Sequence, residues 1–363
     1  VHYFYTGNVK HFDRDDYDYV LTGRDQNQIH MVTDNPDELG EKRLAVGPLD
    51  YPDDIGTHVR DPKILEHDGV YYMVLGARTK DDRGCVLVFT SCDLESWKYA
   101  TRIELDEKFG FMWECPDLFE LDGELVLVCC PQGVPAEGWR YHNPHQCVWF
   151  CIEADWEAPS FKVVDQGMPP MVDAGFDFYA PQSFEDNEGR RLMIGWVGWP
   201  DATVENPTVE RGWQCALTVP RQLSMHDGKL CQWPARELEK LRGDCAHVHA
   251  GETVAEPGRL FDAVISCEGA KTVELEIREG VTVRFADGKL TLDMGDEGYG
   301  REVRLVETGE LHDLRVLSDT TLVEIFANGG ETALTSRTYS PAASTIRLLV
   351  EGTASMKFYR LAK

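Results

Sequence analysis

Positive charge is scarce in this chain: 36 Lys and Arg stand against 63 Asp and Glu, a formal net charge of −27. That balance argues against nucleic acid and anionic membrane as partners, because both repel an acidic surface. No apolar run reaches the roughly 18 residues that a membrane-spanning helix needs. A phosphate-cradling glycine loop, a Gly-x-Ser-x-Gly elbow and a CxxC pair are all lacking, and so are low-complexity tracts. The histidines form no metal set. His142 and His145 lie three apart and His247 and His249 two apart, without carboxylates or cysteines at ligand spacing. No metal and no cofactor are therefore expected. The 11 cysteines show no disulfide framework, and Cys85, Cys129, Cys130, Cys147 and Cys151 sit inside apolar strands. They read as small buried hydrophobes of a reducing compartment.

What the chain has instead is repetition. HVRDPKI (58–64), WECPDLF (113–119) and YAPQSF (179–184) each run into a turn and then an apolar strand: Asp68-Gly69 before VYYMVLG, Asp122-Gly123 before ELVLVCC, Glu188-Gly189 before RRLMIGW. The proline-to-glycine spacing is 7, 7 and 8 residues. A second signature follows two of them, CVLVFTSCDLESW and CVWFCIEADW, strands closed by an Asp turn and a Trp. Repeats of this size made only of strands predict four-stranded blades of a β-propeller, whose inner strands converge on a central pocket.

The propeller is expected over residues 1–233. A short helix, PARELEKLRG, follows as a linker over 234–244 and is expected to end at Gly243. Residues 245–363 then alternate apolar and polar positions in about eight strands, which predicts a β-sandwich. The start is abrupt. Residues 2–8 align with the strand at 71–76, and no inner strand precedes them, so the chain is expected to be a fragment or one part of a longer protein.

Two repeats carry a carboxylate on the inner strand, Asp61 and Glu114, and glycoside hydrolysis needs such a pair. Asp61 lies between Arg60 and Pro62. The plain alternative is a turn with a local Arg–Asp pair, but Pro62 removes a ladder donor and confines the site to a strand start or edge. Glu114 is flanked by Trp113 and Cys115 in an apolar stretch. Poor hydration there is expected to raise its pKa toward that of a general acid. Asp177, Tyr179 and Gln182 could bond sugar hydroxyls, or serve ordinary turn chemistry. Trp196 could be a stacking wall or core.

At Arg60-Asp61-Pro62, at WECPD (113–117) and at FDFYAPQ (176–182) the chain resembles glycoside hydrolase family 32, the invertases, β-fructofuranosidases and sucrose-6-phosphate hydrolases. The likeness extends to Tyr5-Thr6-Gly7-Asn8, to Gly212-Trp213 with LTVPR (217–221), and to VEIFANGGE (323–331). It implies an all-β protein, a five-bladed propeller followed by a β-sandwich, and a retaining mechanism on a β-fructofuranoside. Glu114 would then be the general acid/base and Asp61 the transition-state stabiliser. Arg60, Trp113, Cys115, Asp177, Tyr179, Gln182 and Trp196 would bind substrate. The intracellular bacterial sucrose-6-phosphate hydrolases are the nearest flavour, which implies a cytoplasmic location and a small sugar as partner. A homodimer through the sandwich is left open.

One departure stands out. The family's nucleophile is an Asp in a Trp-Met-Asn-Asp-Pro-Asn-Gly motif, and this sequence has no such motif. Asp13, Asp15, Asp16 and Asp18 lie in a polar loop and do not match it. A retaining enzyme needs its second carboxylate about 5–5.5 Å from the first. At ~50 residues per blade, roughly 60–130 residues of the family pattern are unaccounted for. Three readings remain: a β-fructofuranosidase whose first blade lies outside this sequence, an inactive fructoside-binding propeller or scaffold, and a propeller completed by another chain.

Overall fold

The computed structural model describes residues 1–164, 167–200, 206–298 and 302–362. It is all-β, and its contacts divide the chain into two compact units: Val1–Pro135 with Pro144–Pro170, and Ala136–Asn143 with Met171–Lys363.

The first unit holds three antiparallel sheets. One has three strands, β1 (His2–Lys10), β2 (Arg24–Val32) and β3 (Arg43–Val46). A four-stranded meander follows: β4 (Ile55–His67), β5 (Val70–Thr79), β6 (Gly84–Ser91) and β7 (Lys98–Ile103). The next repeats it with β8 (Met112–Leu121), β9 (Glu124–Gln132), β10 (Val148–Asp155) and β11 (Ser160–Val163). Both meanders open on the tight hairpin that their Asp-Gly pairs encode. Asp68 and Gly69 have φ of 50° and 77°, and Asp122 and Gly123 have 52° and 88°. Two successive positive φ values suit a hairpin turn and favour Asp followed by Gly. β5 and β6 are buried along almost their whole length, which explains why they read as continuous apolar runs. Val46, Val59, Met73, Leu75, Leu87 and Phe89 join the first sheet to the second in one core.

The second unit begins with β12 (Tyr179–Glu185), β13 (Arg191–Val197), β14 (Ala216–Leu217), β15 (Arg221–His226) and β16 (Lys229–Pro234), one sheet with the order β12-β13-β15-β16 and β14 paired to β13. The segment expected to be a helix ending at Gly243 is a 3₁₀ turn over Arg236–Leu241 that passes straight into the strand Arg242–His249. Gly243 is a strand residue, because the backbone stays extended once Arg242 enters the sheet. Beyond it a six-stranded and a five-stranded antiparallel sheet enclose a large apolar core, so the strands outnumber the eight expected. The extra ones are short edge pieces such as Thr253–Ala255 and Leu349–Glu351, too brief to show a period of their own.

One distortion recurs in the three strands that carry the repeated motif. Asp61, Cys115 and Ala180 have φ of 63°, 50° and 47°, and each precedes a proline. The ladder slips beside each, between Arg60 and Lys63, between Glu114 and Asp117, and between Tyr179 and Gln182. A left-handed non-glycine residue costs about 1–3 kcal/mol and persists only where the surroundings impose it. The proline contributes by removing a ladder donor. The result is a bulge that turns one backbone N–H and one side chain out of the regular pattern.

Among the described residues no helix is long and apolar enough to cross a membrane. Among them, too, no group of three or more His, Cys, Asp or Glu is arranged to hold a metal ion.

Candidate functional site

The bulges of β4 and β8 face each other in the first unit. Arg60, just before one bulge, sends Nε and Nη2 to Oε1 of Glu114, just before the other, at 3.0 and 2.6 Å. The second carboxylate oxygen of Glu114 accepts from Gln132 Nε2 on β9 at 2.8 Å. Asp61 Oδ2 accepts the Cys115 backbone N–H at 2.9 Å, with the Cys115 thiol 3.7 Å away. The Asp61 N–H in turn reaches Thr6 Oγ1 at 3.0 Å, and Thr6 donates to Gln28 at 2.8 Å. Each bulge therefore supplies a carboxylate and a turned-out N–H, and the two are cross-linked. Arg60, Asp61, Glu114 and Cys115 are all half-buried.

Burial pushes the Asp61 carboxyl above its ordinary range, and the nearby Glu114 charge adds to this. The Cys115 N–H and the Arg60 charge oppose it. The surroundings of Glu114 differ from the apolar setting expected. In a strand, successive side chains point to opposite faces, so Trp113 turns into the core while the carboxylate faces Arg60 and Gln132.

The proposed binding residues separate in the same way. The Trp113 ring is wholly buried, stacked on Phe150 at 5.4 Å, with its indole N–H on the Phe109 carbonyl at 2.8 Å. It is a core residue and presents nothing to a ligand. Asp177 is also wholly buried, and its carboxylate takes the Arg337 backbone N–H at 2.8 Å and the guanidinium at 2.7 and 2.9 Å. That side chain is committed to a strand 160 residues away rather than to a sugar hydroxyl. Tyr179 is buried with its ring edge toward Trp196, which is half-buried, and Gln182 is exposed. These three belong to the second unit. Sequence reasoning passed over Thr6, Gln132 and the Cys115 N–H. The X-Pro pair inside each strand was the available signal for the last.

Gly76 on β5 lets β8 pass closely: a Cβ there would lie 2.2 Å from the Trp113 carbonyl oxygen and 3.3 Å from the Glu114 Cα. Gly76→Ala is therefore expected to displace Glu114 and to lower turnover at least ~10-fold, since a shift of 1 Å at a reacting group costs about 10². Initial rates alongside an unchanged circular dichroism spectrum would show this.

The family description "Glycosyl hydrolases family 32 N-terminal domain" matches residues 1–234, and "Glycosyl hydrolases family 32 C terminal" matches residues 237–362. The chain belongs to glycosyl hydrolase family 32. Family 32 relatives resemble it along most of their length. A sucrose-6-phosphate hydrolase of Salmonella typhimurium is 37% identical over 94% of this chain and 70% of its own. One of Bacillus subtilis is 35% identical over 93% and 71%. Among solved structures, sucrose-6-phosphate hydrolase from Lactobacillus gasseri superposes with a TM-score of 0.85 at 25% identity, covering 99% of this chain and 75% of that one. A mutant GH32 beta-fructofuranosidase of Bombyx mori in complex with sucrose gives 0.81 at 26% identity, covering 100% and 76%.

Proposed function

We propose that this family 32 protein cleaves the fructosyl bond of sucrose or its 6-phosphate with retention, on a five-bladed propeller. The observation that carries the reading is the cross-linked pair of bulges, which sets Glu114 and Asp61 beside each other with Arg60 between them. Glu114 protonates the leaving glucosyl oxygen and then takes a proton from the attacking water. Asp61 holds fructosyl hydroxyls as the ring gains positive charge. Arg60 and Gln132 fix the Glu114 carboxylate. Arg60 is assigned to the substrate, and Trp113 and Cys115 to supporting the strands that carry the site. The nucleophile is assigned to no residue of this sequence, so the activity is proposed for the polypeptide that carries the family's Asn-Asp-Pro motif. The sucrose-6-phosphate hydrolase relatives and the WECPD motif at Glu114 favour cleavage over a binding-only scaffold.

Asp61→Asn tests the assignment. Its expected result is a loss of roughly 10²–10³ in kcat for sucrose, the scale seen when one electrostatic contact to a transition state is removed. Stability should hold or improve at neutral pH, because Asn tolerates the left-handed backbone and no charge is then buried. The sign follows from the raised carboxyl of Asp61. Between its ordinary value and its raised one, the folded state binds more protons, so this group's contribution to stability falls as pH rises. Activity in the same window rises with pH, because the ionised form is needed. Urea denaturation and glucose release, measured across that window in both proteins, should diverge in this way. An Asp61→Asn protein with undiminished kcat would remove Asp61 from the mechanism.

A further inference from the structure

β2 turns a polar face inward: Arg24, Gln26, Gln28 and His30 alternate along it and are all buried. Three of them are satisfied. Gln26 Oε1 accepts the Val59 N–H at 2.7 Å, and Gln28 Nε2 donates to the Val59 carbonyl at 3.1 Å. His30 pairs with His2 at 2.9 Å. Arg24 is different. It is only 3% exposed, and its Nε and Nη2 have no hydrogen-bond partner. The Tyr19 ring covers the guanidinium at 3.8 Å. Burial draws the Arg24 pKa down, but a guanidinium stays charged in proteins. Next to it, His58 is also 3% exposed, with Nδ1 3.4 Å from Arg60 Nη1 and Nε2 without a partner. Weak support from the Tyr19 backbone does not reach hydrogen-bond geometry. Burial, with the charges of Arg24, Arg60 and Arg78, pushes the His58 pKa down to about 3, so the ring is neutral at working pH. Arg60 has Glu114 and Arg78 has Asp82, each at 2.6 Å. The carboxylate of Asp18, which feels Arg78 and His58, is capped by the N–H groups of Val20 and Leu21. Although the net charge of the chain is −27, Arg24 makes no ion pair with any carboxylate among the described residues.

We infer that Arg24 and His58 form an anion site that takes the phosphate of a phosphorylated sugar beside Asp61 and Glu114. Nε and Nη2 share one edge of the guanidinium, the edge that grips a phosphate through two parallel bonds. A phosphate monoester brings about −1.5 to −2 charge near neutrality and three acceptor oxygens, enough for both Arg24 bonds and one from His58 Nε2. Placement follows from the strand. Arg24 is two residues, roughly 7 Å, from Gln26, whose side chain holds Val59 next to Arg60. The distance suits a group carried on the second ring of a disaccharide bound at Glu114. Entry passes under Tyr19, which is exposed and sits on a segment tied down by Thr57, whose N–H and Oγ1 reach the Val20 carbonyl at 2.8 and 2.9 Å.

The placement rests on the glycosidase reading, and the test separates the two. Inorganic phosphate is titrated calorimetrically into the polypeptide that carries the family's Asn-Asp-Pro motif, unsubstituted and with Arg24→Met or His58→Gln. The ratio of kcat/KM for sucrose 6-phosphate to that for sucrose is measured in the same three proteins. The site predicts saturable phosphate binding that Arg24→Met abolishes, competition of phosphate with sucrose 6-phosphate, and a fall of at least about tenfold in the ratio. No phosphate binding to the unsubstituted protein, binding that survives Arg24→Met, or a ratio that stays within about twofold would overturn it. If neither sugar is cleaved while phosphate still binds through Arg24, the glycosidase reading falls and the anion site stands.

Discussion

Glu114→Gln is expected to lower sucrose hydrolysis by about 10²–10⁴, the contribution of a positioned general acid/base, while leaving the protein folded. The geometry explains both halves. Oε1 of Glu114 takes two bonds from Arg60 and Oε2 takes one from Gln132. A glutamine keeps an oxygen toward Arg60. Its amide then meets Gln132, which can rotate to offer its own oxygen, at a cost near 1 kcal/mol. What is lost is the proton. A fructoside with a leaving group that departs unprotonated should therefore be cleaved far less unequally by the two proteins than sucrose is. Equal losses on both substrates would make Glu114 a positioning residue, and equal sucrose turnover would remove it from the site.

The largest stability effect is expected at Arg221 on β15. Its guanidinium is completely buried and meets Asp173 at 3.0 Å, Gln232 at 2.6 Å and Glu324 at 2.6 and 3.2 Å. Asp173 also receives the Thr335 N–H and hydroxyl, and Glu324 receives the Val219 N–H at 2.7 Å. The aromatic rings of Phe178 and Phe326 lie 5.0 Å from the cation. Arg221→Met leaves two buried carboxylates facing each other, and breaking a buried pair in this way costs about 3–5 kcal/mol. Burial already holds the Glu324 carboxyl above its ordinary range, and removing the cation raises it further. The folded variant then binds protons that the unfolded chain does not, so the deficit should shrink as pH falls. Urea midpoints at neutral and mildly acid pH measure this. A loss below about 1 kcal/mol at neutral pH would mean that the network is not a keystone of the second unit.

The fold class and the two carboxylates were legible because they are local. Asp-Gly pairs between apolar runs specify hairpins wherever they fall, and WECPD and RDP each carry a carboxylate and the proline of its bulge within a few residues. Long-range pairing was not legible. Nothing near Asp177 reveals Arg337, and nothing near Arg221 reveals Glu324, because those partners lie on strands more than a hundred residues away. The mistake at Trp113 was avoidable. In a strand it must face opposite to Glu114, so an apolar environment for the ring says little about the carboxylate beside it. Arg24 was invisible for another reason: an arginine in a polar stretch looks solvated until the sheet buries it.

The three left-handed residues before proline have a consequence for variation. Sliding any of these strands by one position would put a branched or regular residue where the backbone demands the kink, and would bury the proline in a ladder slot it cannot fill. Pairing is thereby locked from inside the strand rather than by the turns at its ends. Connecting segments can lengthen, shorten or change sequence without moving Asp61 and Glu114, so new loop sequences can be tried at the rim while the paired carboxylates beneath stay in place.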